Sequence, residues 1–199
     1  MSKIFGIGFN KTATTSLRAL LIENGFSVAL QRPFECNMES YYYCRNTFIE
    51  MINNDYNHFE YFQDIPFSLP DFYKDLDESF PDAKFILTVR DSDSQWYNSL
   101  LNMHRKNKFT ENTKEVVWRY KGWMYKYLTK CYGSPEDNPY CEVSLKSAYN
   151  KHIEDVIKYF EGREGKLLVC NIKDVDLIDK LESFLERPLH NKNIPHYIP

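Results

Sequence analysis

Apolar residues along this chain recur at two spacings, and each change of spacing marks a new element. Ile4, Phe5 and Ile7 form a short apolar run among glycines, and Leu17, Leu20 and Leu21 follow at helical spacing. This predicts strand, loop, helix. Gly25 closes the helix, and Phe26 to Leu30 predicts a second strand. The tyrosine-rich stretch from Met38 to Ile52 predicts a helix with Tyr41, Phe48 and Ile52 inward. Phe59 to Phe62 reads as a short aromatic strand halted by Pro66, Leu69 to Phe80 as a helix, and Pro81-Asp82 as a turn. Lys84 to Val89 is nearly continuous apolar and β-branched sequence, as expected of a strand covered on both faces, and Asp93 is placed to cap a helix running through Leu101.

Further along, Val116, Tyr120, Trp123, Tyr127 and Cys131 fall on one face of a helix predicted over Asn112 to Tyr132. Leu145, Tyr149, His152, Val156 and Phe160 repeat that pattern. Gly165 precedes a last strand, Leu167 to Cys170, and a helix through Leu177, Leu181, Phe184 and Leu185 ends before Pro188. Strands alternating with helices imply an α/β fold: a mainly parallel sheet, helices on both faces, and ligands at the carboxyl ends of the strands. At 199 residues the whole chain, 1–199, is expected to form one such domain, with a helical region at about 107–162 beside the ligand.

Composition narrows the function. Hydrophobic residues at 43% and charged residues at 27% are ordinary globular values. A net charge of -3 argues against broad binding to nucleic acid, so an anion must be held by a local site. No apolar run is long enough for a membrane span, and the expected location is the cytoplasm. Cys36, Cys44, Cys131, Cys141 and Cys170 contain no C-x-x-C pair and read as packed thiols, with a Cys131–Cys141 bridge as the alternative. His190 and His196 lack ligand spacing, and no metal site is expected.

The chemistry concentrates at two strand ends. Gly6-Ile7-Gly8-Phe9-Asn10-Lys11-Thr12 approaches a phosphate-binding P-loop, with Asn10 in place of the second glycine. The physical needs are met: glycines admit close backbone approach, amide groups at a helix N-terminus hold an anion, and Lys11 adds a full charge. Thr12, Thr14, Thr15 and Ser16 add hydroxyl donors. The fold expected is therefore a P-loop-type three-layer α/β domain. At the end of the best strand, Thr88-Val89-Arg90-Asp91-Ser92 places Arg90 to grip a second phosphate, with Ser99 on the following helix as a further donor. The plainer readings are a capped tight turn for the first motif, and a surface arginine paired with Asp91 for the second.

These two motifs together resemble the P-loop sulfotransferase superfamily, in particular its small members of about this length. The matching stretches are Gly8 to Leu17, Asp64-Ile65-Pro66, Phe80 to Asp91, Lys166 to Val169, Leu181 to Leu185 and Ile194-Pro195-His196. The resemblance implies that the cofactor is PAPS, with PAP as product. It also implies that Asn10, Lys11, Thr12, Ala13, Thr14, Thr15 and Ser16 hold the 5′-phosphosulfate while Arg90 and Ser99 hold the 3′-phosphate. Ser99 lies one residue further from Arg90 than is usual in the family, so Asn98 is the alternative. Ala13 stands where the family often has glycine.

By the same resemblance the catalytic residues are Lys11, for charge on the leaving oxygen, and a base near the strand before the arginine strand. Asp64 fits that base best, since His58 and Glu60 lie earlier, and the plainer reading is a turn aspartate. His152 lies on an apolar helix line and reads as a core histidine. The function implied is transfer of a sulfuryl group from PAPS to a hydroxyl or amine of a small-molecule, glycan or peptide acceptor. Two alternatives stand: a P-loop kinase or NTPase, with Thr12 on Mg²⁺, and a catalytically silent nucleotide-binding module. Acceptor and oligomeric state stay open.

Overall fold

The computed structural model describes residues 2–195 of the chain. In order, its elements are β1 (Ile4–Gly6), α1 (Thr14–Glu23), α2 (Gln31–Cys36), α3 (Ser40–Tyr43), α4 (Asn46–Asn54) and β2 (Tyr61–Gln63). There follow α5 (Phe72–Ser79), β3 (Lys84–Val89), α6 (Asp93–Lys106) and α7 (Trp123–Lys126). A one-turn π-helix (Tyr127–Cys131), α8 (Glu142–Phe160), β4 (Leu167–Asn171) and α9 (Leu177–Leu185) complete the described chain. The strands form one sheet in the order β2-β1-β3-β4, with every pairing parallel.

Alternation along the strands builds the three layers. Phe5 pairs in register with Phe62 on one side and Phe85 on the other, and all three pack into the larger core with residues of α4, α5, α6 and α8. Their neighbours Ile4, Tyr61 and Ile86 point to the opposite face, where Leu17, Leu20 and Leu21 of α1 and Leu177 and Leu181 of α9 cover them. Both faces are thus buried, which is why β1 reads as continuous apolar sequence.

Five sequence expectations change. Phe26 to Leu30 forms only a single bridge, Val28 to Tyr61, before the chain turns at exposed Leu30 into α2. Pro33 falls in the first turn of α2, where its missing N–H costs nothing. Met38 to Ile52 is two helices, because Cys44 takes an extended conformation (φ -157°, ψ 84°) between them. Tertiary contacts hold that break: the Arg45 guanidinium lies 4.5 Å from the Tyr41 ring centre and 3.0 Å from an Asp75 carboxylate oxygen. Tyr41, Phe48 and Ile52 are nonetheless inward, as the pattern required.

Asn112 to Tyr132 becomes helical only from Trp123. Asn112 and Gly122 have left-handed φ of 51° and 76°, and a Cβ at Gly122 would lie 3.1 Å from the Lys114 carbonyl oxygen, so the turn requires glycine. The cap of α6 is Ser92, whose side chain accepts from the Gln95 N–H at 3.1 Å, and Asp93 instead occupies the first helical position. All five cysteines are free, and Cys36 and Cys44 are exposed rather than packed. His196 lies outside the described residues.

His152 ties α8 to the first strand. Its Nε2–H donates to the Ile7 carbonyl at 2.8 Å, and its ring stacks on Phe9 with centroids 4.4 Å apart. Burial drives this imidazole down to about 4, against an unperturbed value near 6.5. A group held neutral in this way stabilises the fold above pH 6.5 and loses that contribution as pH falls toward 4. Urea unfolding should therefore show stability declining below pH 6.5. His152→Phe should cost about 1–3 kcal/mol at pH 7 and decline less steeply in acid; parallel pH profiles for the two proteins would contradict this account.

Candidate active site

The chain leaves β1 at Gly6 and re-enters helix at Thr14, and between them it forms a tight cradle at the carboxyl edge of the sheet. Gly8 lies flat on β3, where a Cβ would come within 2.6 Å of the Thr88 carbonyl oxygen. Thr12 anchors the far side: its buried hydroxyl bonds both the Phe9 carbonyl and the Thr88 hydroxyl at 2.6 Å. Lys11 and Ala13 have left-handed φ of 70° and 72°, which turns successive amide groups toward one side, as in an anion-binding nest. The N–H groups of Lys11, Ala13, Thr14 and Thr15 donate to no protein atom among the described residues. The last two open α1, so its dipole points the same way.

Arg90 enters from the end of β3. Its Nε donates to the Lys11 carbonyl at 2.7 Å and its backbone N–H to the Tyr149 hydroxyl at 2.9 Å. Neither terminal guanidinium nitrogen of Arg90, nor Nζ of Lys11, has a hydrogen-bond or ion-pair partner among the described residues. Asp91 does not neutralise Arg90; it bonds Lys173 at 2.8 Å, Asn171 at 2.7 Å and Gln95 at 3.0 Å. Burial and the nearby Arg90 charge hold the Lys11 ammonium below its ordinary range. The site therefore holds two cations that repel each other and make no direct ion pair among the described residues, while the Asp64 carboxylate near Lys11 offsets part of that repulsion.

A cavity of about 680 Å³ opens over these groups. Of the residues expected at the site, Asn10, Lys11, Ala13, Thr14, Thr15, Ser16, Asp64, Arg90 and Ser99 line it, whereas Thr12 is sealed beneath the loop. Asn98, the alternative to Ser99, is exposed and lies off the cavity wall. Asn10 is fixed from behind, its carbonyl accepting from Trp96 Nε1 at 3.0 Å.

Asp64 follows β2 directly, with a left-handed φ of 59°. Its Oδ2 accepts from the Gln31 side-chain amide and from Gln63 Nε2 at 3.2 Å, and its Oδ1 is buried without a partner. Burial first, and then the Glu35 charge, push this carboxyl up to about 6; Thr14, Gln63 and Arg18 pull the other way. Glu60 is engaged elsewhere, accepting from the Ser27 N–H at 2.9 Å and pairing with Arg187 at 3.3 Å.

Part of the far wall falls in the region expected beside the ligand at about 107–162, but the individual residues of that wall were not assigned from sequence. Gln31 and Glu35 come from α2, Met103 and His104 from α6, and Trp118 and Arg119 from the irregular segment before α7. Arg119 binds Glu35 through Nε at 2.6 Å, and the Trp123 indole N–H donates to the Glu35 carbonyl at 2.9 Å. No motif marks these residues, because tertiary pairing alone brings α2 against the segment at 107–122. The His104 ring is buried and faces Tyr140, its Nδ1 lying 2.9 Å from the hydroxyl, and burial plus the Lys11 charge push it down to about 3.

The structure is that of a parallel α/β protein with a cradle of unpaired backbone amides where a strand turns into a helix. Residues 3–197 match the sulfotransferase domain family, and the chain belongs to that family. No curated protein matches the chain. No helix among the described residues is long and apolar enough to cross a membrane.

Ala13 carries a Cβ in a conformation that disfavours it by roughly 1–2 kcal/mol. Because glycine gains freedom in the unfolded chain, Ala13→Gly should leave stability unchanged or raise it by up to about 1 kcal/mol in chemical denaturation. Gly8→Ala should lower stability by more than about 2 kcal/mol, since the backbone of β3 has no room to yield. The reverse ranking of the two variants would show that the loop packs differently.

Proposed function

We propose that this protein transfers a sulfuryl group from PAPS to a hydroxyl of a small acceptor, with PAP as product. The observation that carries the reading is the pair Lys11 and Arg90, held beside unpaired amide groups, with neither cation in a direct ion pair among the described residues. Two cationic centres on one cavity wall suit a ligand with separate anionic ends, and the space that a side chain at Gly8 would occupy is backbone, as a phosphate cradle requires. PAPS, when bound, supplies the activated sulfuryl group.

The residues divide the work. The amides of Lys11 and of Ala13 through Thr15, with the Ser16 hydroxyl, bind the phosphosulfate end, while Arg90 and Ser99 bind the 3′-phosphate. Lys11 compensates charge on the bridging oxygen as the S–O bond to the 5′-phosphate breaks. Asp64 takes the proton of the acceptor hydroxyl as the new O–S bond forms, a role suited to a carboxyl near 6. Thr12 contributes by fixing the loop to β3. That commitment of its hydroxyl weighs against the kinase reading, which needs it free for Mg²⁺.

PAP should raise the melting temperature in the presence of EDTA, and stabilisation by ATP only, and only with Mg²⁺, would overturn the proposal. Lys11→Ala should lower kcat by roughly 10²–10³ with the fold intact, which separates an enzyme from a silent binding module. Arg90→Ala should raise the KM for PAPS about tenfold or more, the loss of a charge-assisted phosphate contact. If Asp64 is the base, activity should rise with pH to a plateau above about 6, and Asp64→Asn should abolish most turnover along with that limb.

A further inference from the structure

Beyond the phosphate cradle, the cavity wall carries hydrogen-bond acceptors on Gln31, Glu35 and Asp64 alongside donors on Trp118 and Arg119. Arg119 contacts Glu35 only at Oε2, so Oε1 has no hydrogen-bond partner among the described residues, although Glu35 lines the cavity. Asp64 lines the cavity, although its unpartnered Oδ1 is itself buried, and Gln31 donates its amide N–H to Asp64, which leaves its carbonyl oxygen without a partner among the described residues. The intervening wall is apolar: Ile65, Met103, Phe109, Trp118, Trp123 and Met124. We propose that the acceptor is a neutral, polyhydroxylated molecule with one apolar face, of the glycoside class, and that Glu35 selects it by accepting a hydrogen bond from a second hydroxyl beside the one sulfated. This inference rests on the sulfotransfer reading above.

The alternatives fail on chemistry. A simple phenol brings one donor, so Glu35 and Gln31 would be desolvated with nothing to bind, which is unfavourable for each group. A carboxylate-bearing acceptor would face Asp64 and Glu35, whose charges already lie close enough for Glu35 to raise the Asp64 carboxyl. An amine must be neutral to attack sulfur, and two neighbouring carboxylates favour its protonated form. A sugar-like ring satisfies the wall: its hydroxyls donate to Asp64, Glu35 and Gln31, and its C–H face lies on the tryptophan and methionine side chains. As in the proposed reaction, the attacking hydroxyl gives its proton to Asp64 and the sulfuryl group leaves the 5′-phosphate of PAP.

Calorimetry with hexyl β-glucoside, 4-hexylphenol and hexylamine, on the protein alone and on the PAP-saturated protein, tests this directly. The glucoside should bind at least about tenfold more tightly than either of the others. Glu35→Met should weaken the glucoside about tenfold with affinity for PAP unchanged, and Glu35→Gln, which keeps a carbonyl oxygen, should recover part of that loss. Because Glu35→Met strands Arg119, Gln31→Met provides a second variant that leaves the ion pair intact and should also weaken the glucoside. Equal affinity for the phenol, or unchanged glucoside binding in both methionine variants, overturns the inference. Failure of PAP to bind while the glucoside pattern holds overturns the donor assignment instead, and the acceptor assignment then stands.

Discussion

Two positive side chains held close together without a carboxylate between them are an unfavourable arrangement, and much of this molecule is organised around keeping it. Lys11 and Arg90 come from different strand ends, and a hydrogen bond from the Arg90 guanidinium to the Lys11 carbonyl joins their backbones. Behind them the aromatic layer is continuous. Phe9 packs between Tyr132 and His152, and Trp96 stacks on Tyr149 with planes 8° apart. Trp96 and Tyr149 also bond the loop and the arginine backbone. Rigid rings with few rotatable bonds hold such groups at little entropic cost, and in the proposed reading a bound anion would relieve their repulsion.

Within the loop, neighbouring residues serve different masters. Gly8 and Thr12 face the sheet, and their identities follow from the Thr88 atoms beneath them. Asn10, Lys11 and Ala13 through Ser16 face the cavity. This division explains why the run keeps threonine at position 12 while its hydroxyl never reaches the ligand side. It also explains the left-handed residues at 11 and 13: they alternate the chain between the two faces and turn free amides toward the cavity.

The acceptor side is built on a different plan. No strand end supplies it apart from Asp64; α2, the end of α6 and the segment at 107–122 meet there through Arg119, Glu35 and the Trp123 indole. A side-chain ion pair between an otherwise irregular segment and a six-residue helix leaves this wall free to vary without disturbing the sheet. In the proposed reading, donor binding lies on the rigid parallel core, and acceptor choice on connections that are cheaper to change.

The sheet and the strand-to-helix cradle at its edge were legible in the chain because they obey local rules. Continuous β-branched sequence over Lys84 to Val89 requires burial on both faces, and a lysine and hydroxyls between a strand and a helix define an anion cradle wherever the strand lies. The helix through Leu145, Tyr149, His152, Val156 and Phe160 was equally plain from its period. Three things were decided only in three dimensions: the release of Arg90 from Asp91, the burial that raises the Asp64 carboxyl, and the Glu35–Arg119 wall. Each depends on residues far apart in sequence, Asp91 with Lys173 and Asn171, Asp64 with Gln31 and Glu35, Glu35 with Arg119. Periodicity reports which face a residue turns inward, whereas charge pairing and desolvation are set by what the folded chain brings alongside it.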